Sequence, residues 1–279
     1  MSEGISQPEA KRRLNVLRGI TYNTAYDDTR SYYVGLGKQQ PPTTGDFTSI
    51  EFGAGVGYSR FMINTALAGS FWQRSGRDIW NNQTILFGPA VAEDWTTAKS
   101  VGIFRHPTDL VADVFGHLEV GMPTPINHYL KFNPGELKII ISQDAERKSQ
   151  ELAYKQNGAL LGQPYGLPGN NIYIGLGSRL KGDGDIIEFT NTNAPGYVRG
   201  TLLVSTSAFS DPGSTRQMTN KVEIEFPDAA EMWESVKTFG IYTEQSGGVP
   251  WYSNTLPADA IVRKGDNLIV LVDGLTIKE

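Results

Sequence analysis

The stretch Tyr33-Val34-Gly35-Leu36-Gly37 returns later in the chain as Tyr173-Ile174-Gly175-Leu176-Gly177. More matches follow in the same order. Gly57-Tyr58-Ser59-Arg60 returns as Gly196-Tyr197-Val198-Arg199. Asn82, Ile85, Phe87 and Pro89 are echoed by Asn220, Ile224, Phe226 and Asp228, and Trp95 by Trp233. Lys99-Ser100-Val101-Gly102-Ile103-Phe104 returns as Lys237-Thr238-Phe239-Gly240-Ile241-Tyr242. Pro134-Gly135-Glu136-Leu137 is matched to Lys264-Gly265-Asp266-Asn267-Leu268. A repeat of this length exceeds any solenoid unit, so it predicts a duplicated domain and not an array.

Each repeat reads as short strands. Arg30 to Gly37 is rich in aromatic and β-branched residues, which suit a pleated surface. Its glycines at alternate positions lie on one face and admit close approach of another group. Lys99–Phe104, Val114–Val120 and Leu137–Ile141 are further strands of the first repeat, and Pro123 and Pro125 are expected to break the second of these. In the second repeat the expected strands are 172–177, 197–204, 221–226, 236–242, 249–253 and 268–272. Lys221-Val222-Glu223-Ile224-Glu225-Phe226 alternates, predicting one dry face and one wet face that carries Glu223 and Glu225. With 31 glycines and few helix-period segments, the expectation is all-β: two tandem antiparallel β-sandwich, jelly-roll-like domains.

Four segments follow from this. Residues 1–28 form an N-terminal arm, 29–142 the first sandwich, 143–170 a linker and 171–279 the second sandwich. In the arm, Ser6-Gln7-Pro8-Glu9 reads as a helix start, and Leu14, Leu17 and Ile20 recur at helical spacing. Such a short helix needs a partner surface to be stable. In the linker, Ser142 can cap a helix through Tyr154, with Gly158 as its stop.

Composition removes several function classes. There is no cysteine, so thiolate metal sites and disulfides are excluded. A net charge of -5 with scattered charged residues offers neither the basic stripe of a nucleic-acid binder nor a polybasic membrane patch. No apolar run reaches the roughly 20 residues of a membrane span, and the first residues lack the apolar core of a secretory signal. The expectation is a soluble product of a cytoplasm.

The sequence offers no recognisable active site and no cofactor site. Gly53-Ala54-Gly55-Val56-Gly57-Tyr58 is glycine-rich, but no Gly-Lys-Ser/Thr follows, so it reads as a turn and not a phosphate loop. Of the three histidines, His117 lies two residues from Glu119 on an expected strand, and with Asp109 or Asp113 the pair is a metal candidate on paper. Asp183 and Asp185 are a candidate calcium turn lacking a full ligand set. The bland alternative, solvated strand and turn residues, fits both better. Aromatic side chains are the stronger clue, because large amphipathic rings favour interfaces and glycan sites. Trp95 and Trp233 are repeated and read as core. Phe71, Trp72, Trp80, Trp251 and Tyr252, together with Leu14 and Leu17 of the arm, are the candidate interface residues.

The repeated order resembles a bacteriophage virion β-sandwich family, the tail-fibre-like or minor tail structural proteins. In the first copy the resemblance rests on Tyr33, Gly35, Leu36, Gly57, Tyr58, Arg60, Asn82, Phe87, Pro89, Ala90, Trp95, Gly102, Ile103, Phe104, Gly135 and Leu137. In the second it rests on Tyr173, Gly175, Leu176, Gly196, Tyr197, Arg199, Asn220, Phe226, Pro227, Ala229, Trp233, Gly240, Ile241, Tyr242, Gly265, Asp266 and Leu268. The first copy departs at Gly88, at Glu136 and in an insert around Phe71–Trp80. The resemblance implies a virion structural protein without catalysis, either tail- or fibre-associated or capsid-decorating. It would be made in the host cytoplasm and would assemble with other virion proteins and with itself, with no cofactor, nucleic acid or membrane insertion. The alternative is a receptor- or glycan-binding module at a fibre tip, whose partner would be a host-surface glycan.

Overall fold

A computed structural model of the chain describes residues 4–5, 7–15, 31–42, 44–64, 71–75, 78–140, 168–181, 185–213 and 216–278. The described residues are mostly strands with one helix, so the chain is all-β. They fall into two compact units: 4–10 with 31–140, and 11–15 with 168–278. The expected linker helix, Leu17, Ile20 and Asp183 lie outside the described residues. Helix α1 spans Gln7–Asn15, with Arg12 and Arg13 in its last turn, where cations suit the helix dipole.

The first unit holds β1 (Gly4–Ile5), β2 (Ser31–Gly37), β3 (Phe61–Asn64), β4 (Trp72–Ser75), β5 (Asp78–Asn81), β6 (Ile85–Phe87), β7 (Trp95–Phe104), β8 (Val114–Thr124), β9 (Leu130–Phe132) and β10 (Lys138–Ile140). The main sheet runs β1-β8-β7-β2-β3, and all its pairs are antiparallel. A three-stranded sheet, β10-β5-β4, and the ribbon β6-β9 form the facing layer. Val34, Leu36, Ile63 and Ile103 of the main sheet share one core with Ile79, Ile85, Phe87, Leu130, Phe132 and Leu137 of the facing layer. Alternating side chains from two layers thus close on each other, as in sandwich packing. Pro123 does not break β8, which continues to Thr124. Beyond Val114–Phe115, where β1 adds to it, β8 pairs only with β7 among the described residues, and an edge position tolerates the missing N–H of proline.

The second unit holds β11 (Asn171–Leu180), β12 (Ile186–Glu188), β13 (Gly200–Leu203), β14 (Gln217–Thr219), β15 (Ile224–Glu225), β16 (Val236–Tyr242), β17 (Tyr252–Ala260), β18 (Ile269–Val270) and β19 (Thr276–Lys278). Its main sheet is β12-β11-β16-β17, with β13 also on β11, and the ribbons β14-β19 and β15-β18 complete it. The strand expected at 249–253 starts at Tyr252 and runs to Ala260. Its later residues, Asn254 to Ala260, are mostly exposed and include Pro257, so neither apolar alternation nor β-propensity marked them as strand. The alternation read over 221–226 holds only in part: Ile224 and Phe226 are buried, but Val222 is exposed.

The same hydrogen bonds recur in both units. Gly35 pairs with Gly102 across β2 and β7, and Gly175 with Gly240 across β11 and β16. Asn81 Nδ2 donates to the carbonyls of Gln83 and Asn133, while its Oδ1 accepts from Leu137 N–H. Asn220 Nδ2 donates to Val222 and Leu271, and its Oδ1 accepts from Leu275 N–H. The counterpart of Asn220 is therefore Asn81, not Asn82. Trp72 also has a counterpart, because it pairs with Asn81 as Phe209 pairs with Asn220. The region around Phe71–Trp80 accordingly has a counterpart in the second unit, where an isolated bridge at Phe209 stands in for β4, and is not an insert. The match of Gly135 with Gly265 is out of register. Asn127 N–H and Gly265 N–H both donate to the alanine that precedes the tryptophan, Ala90 and Ala229. Gly135 N–H donates to Asn81 O as Asp273 N–H donates to Asn220 O. All four residues have φ between 61° and 84°, and Asn and Asp tolerate that left-handed region almost as Gly does.

Both asparagines are fully buried. Replacing Asn220 by alanine would leave two carbonyls and one N–H unsatisfied, so it is expected to cost about 2–3 kcal/mol. Urea unfolding of the full chain checks this; a change below about 0.5 kcal/mol, the range of neutral surface substitutions, would contradict it.

Candidate functional site

The most elaborate side-chain cluster of each unit is built on the Gly-Tyr-x-Arg segment. A turn with Gly57 at φ 82° aims Tyr58 inward, and a Cβ on Gly57 would collide with Pro89 O. Gly196, at φ 88°, has the same role beside Asp228 O. Tyr58 OH accepts from Leu36 N–H (2.7 Å) and donates to Glu51 Oε1 (2.8 Å). Arg60 grips the same carboxylate with two bonds, Nε to Oε1 (2.8 Å) and Nη2 to Oε2 (2.7 Å). Its remaining N–H groups reach the carbonyls of His106 (3.0 Å) and Asp109 (2.5 Å). The guanidinium carbon lies 3.5 Å from the centroid of the Phe104 ring.

The second unit repeats each contact. Tyr197 OH accepts from Leu176 N–H (2.8 Å) and donates to Glu188 Oε1 (2.9 Å). Arg199 binds Glu188 through Nε (2.7 Å) and Nη2 (2.6 Å). It also donates to the carbonyls of Glu244 (2.6 Å) and Gly247 (2.8 Å), and it stacks 3.4 Å from the Tyr242 centroid. Gly35 and Gly175 are required beneath these clusters. A Cβ on Gly35 would stand 2.8 Å from Glu51 Oε1 and from the Phe104 ring, and one on Gly175 would stand 2.7 Å from Tyr242 and 2.8 Å from Glu188.

Burial first, and the Glu51 or Glu188 charge second, push the phenols of Tyr58 and Tyr197 well above the ordinary tyrosine value, and Tyr242 shifts the same way for the same reasons. For Arg199, burial alone would lower the pKa, but the hydrogen bonds and charge of Glu188 outweigh it and the net shift is upward. The folded state therefore holds the phenolic protons more tightly than the unfolded chain does. Stability from these groups is full below about pH 10 and falls as the unfolded tyrosines ionise above it, by about 1.4 kcal/mol per pH unit for each phenol. A lower urea midpoint at pH 11 than at pH 8, softened by Tyr197→Phe, is the expected result; an unchanged midpoint would contradict it.

Chemically the cluster is closed. Both carboxylate oxygens are engaged by arginine, the phenol both donates and accepts, and the remaining guanidinium N–H groups clamp the hairpin that follows β7 or β16. What the arrangement does is fix loops to the sheet. The glutamates escaped the sequence reading. Their signal is a Glu-Phe pair, Glu51-Phe52 and Glu188-Phe189, upstream of each glycine at unequal distances. Both phenylalanines pack on the repeated tryptophans, Phe52 on Trp95 and Phe189 on Trp233.

The structure disperses the candidate interface residues. Phe71 and Trp72 belong to the first unit's core, and Leu14, Trp251 and Tyr252 are buried. Trp80 is half-buried, with its indole N–H on Gln73 Oε1 (3.2 Å). His117 sits opposite Ser100 on β8. Among the described residues, no group of three or more His, Asp or Glu side chains is placed to hold a metal ion. Among them, too, no helix is long and apolar enough to cross a membrane.

Large apolar side chains reach solvent at many places among the described residues, Val120, Met232 and Ile261 among them, and some lie on or beside the ribbons β6-β9 and β15-β18. Leu86 and Tyr129 are 44% and 54% exposed in the first unit, and Ile269 and Leu271 are 39% and 62% exposed in the second. An unbroken apolar run such as Leu268-Ile269-Val270-Leu271-Val272 was their sequence signal, since a two-layer fold can bury only alternate members.

No curated protein matches the chain significantly. Residues 153–278, a little under half of the chain, match the family described as Podophage GP4 fiber I protein gp80. The second unit is thus similar to a phage fibre protein family.

Proposed function

We propose that the chain is a non-enzymatic structural component of a bacteriophage particle, associated with the tail fibre and assembled through protein-protein contacts. The observation that carries this reading is the match of residues 153–278 to a podophage fibre family. The Glu-Arg-Tyr clusters support it, because their carboxylate oxygens, phenols and guanidinium groups are engaged in holding loops to the sheet. The recurrence of the same hydrogen bonds on both sides of residue 142 supports a further part of the reading: two tandem copies of one antiparallel β-sandwich, joined by a linker. A capsid-decorating role is the variant within this class.

A receptor- or glycan-binding tip has less behind it. Sugar sites favour an exposed aromatic platform, yet Trp72, Trp95, Trp233 and Trp251 are buried, and of the five tryptophans only Trp80 is partly open. Mass spectrometry of purified particles tests the proposal. Stoichiometric amounts of the chain in washed virions are expected. Presence in infected cells with absence from virions would contradict it.

A further inference from the structure

The two ribbons β6-β9 and β15-β18 occupy corresponding places, since Asn81 and Asn220 organise their ends in the same way. Their outward faces nevertheless carry opposite chemistry. In the first unit Leu86 lies opposite Lys131, and in the second Glu225 lies opposite Ile269. The apolar residue is on the first strand of one ribbon and on the second strand of the other. The charge follows the reverse order and changes sign. Alternation continues the pattern: Tyr129 joins Leu86 and Lys131 on one face, and Glu223 and Leu271 join Glu225 and Ile269 on the other, all of them exposed. Asn133 stands where the second unit has Leu271, because both carbonyls accept from the organising asparagine. The fold itself therefore does not require an apolar side chain at that position.

We propose that these two faces bind each other between copies of the chain. The β6-β9 face of one copy docks on the β15-β18 face of the next, with Leu86 and Tyr129 against Ile269 and Leu271, and Lys131 against Glu225. The charge complementarity and the swapped apolar positions select a second copy as the occupant. A face docking on its own duplicate would oppose Lys131 to Lys131, or the glutamates to glutamates, which disfavours a symmetric dimer. Because the two faces differ, the contact is heterologous and copies add head to tail. The proposal rests on reading the chain as an assembly component, and it supplies the contact for that assembly.

The absence of cysteine makes the test direct. Full-length Lys131→Cys and Glu225→Cys chains are mixed and treated with a short bismaleimide. A cross-linked dimer from the mixture is expected, well above the yield from either chain alone and from a Lys99→Cys/Glu225→Cys control, in which Lys99 is an exposed residue of β7. In sedimentation of otherwise unmodified chains, Lys131→Glu is expected to weaken self-association about tenfold or more, and Glu225→Lys in the same chain is expected to restore it. A wild-type chain that stays monomeric, cross-linking no better than the control, or association indifferent to charge reversal would each overturn the proposal. Particle mass spectrometry reads the functional assignment independently, so a monomeric chain found in virions would sink this contact and leave that assignment standing.

Discussion

Replacing Arg199 by methionine is expected to destabilise the second unit by about 3–5 kcal/mol, because it strands a carboxylate that the fold holds against the sheet. The guanidinium side chain is 3% exposed and that of Glu188 is 22% exposed. Glu188 Oε1 would keep the Tyr197 hydroxyl, and both carboxylate oxygens would lose the arginine. The carbonyls of Glu244 and Gly247 would lose their donor in the same step. The double variant Glu188→Gln/Arg199→Met removes the stranded charge and is expected to be less damaged than Arg199→Met alone. Urea unfolding of the full chain measures both. Equal loss in the single and double variants would mean that the pair acts through packing on Tyr242 and not through charge. Arg60→Met is expected to do the same in the first unit, where the guanidinium side chain is 8% exposed.

Trp233→Ala carries an expectation of similar size. The indole is 1% exposed and lies edge-on to Tyr197, with centroids 5.7 Å apart. Its N–H donates to Pro195 O at 3.0 Å, binding the turn that delivers the Gly-Tyr-x-Arg segment. Truncation opens a large cavity and frees that carbonyl, so a loss of about 3–5 kcal/mol is expected. Trp95, which donates to Val56 O at 2.7 Å, should respond alike. Trp233→Phe keeps most of the ring volume and loses the hydrogen bond, so it is expected to cost distinctly less. A near-zero effect of Trp233→Ala in unfolding measurements would contradict its place in the core.

The particular residues show which parts of the fold sequence matching can reach. Gly35 and Gly175 were legible as a pair because the cluster above them admits no Cβ in either unit. Gly57 and Gly196 were legible for a related reason, a left-handed turn against a backbone oxygen. Matching failed where physics allows more than one residue type. Asn127 and Asp273 take the left-handed conformation that Gly265 and Gly135 take in the other unit, so aligning glycine on glycine shifted the closing segment out of register. Asn82 and Asn81 are neighbours of identical composition, and only the hydrogen bonds tell them apart. Trp72 and Phe209 differ in name but occupy one place beside the buried asparagine, which is why Trp72 read as an unmatched interface residue. The glutamates stand at unequal distances from the glycine that follows, Glu188 at the end of β12 and Glu51 at an isolated bridge to Gly37, so no fixed spacing announced them. The exposed ribbon faces carry a weaker signal than large aromatic rings do, namely short apolar runs that the fold leaves half in water.

Gold labelling of intact particles with antibody against this chain tests the central claim most directly. The account predicts label on the tail fibres of the virion, repeated at corresponding positions from particle to particle. Label spread over the head, or particles that carry none, would contradict it.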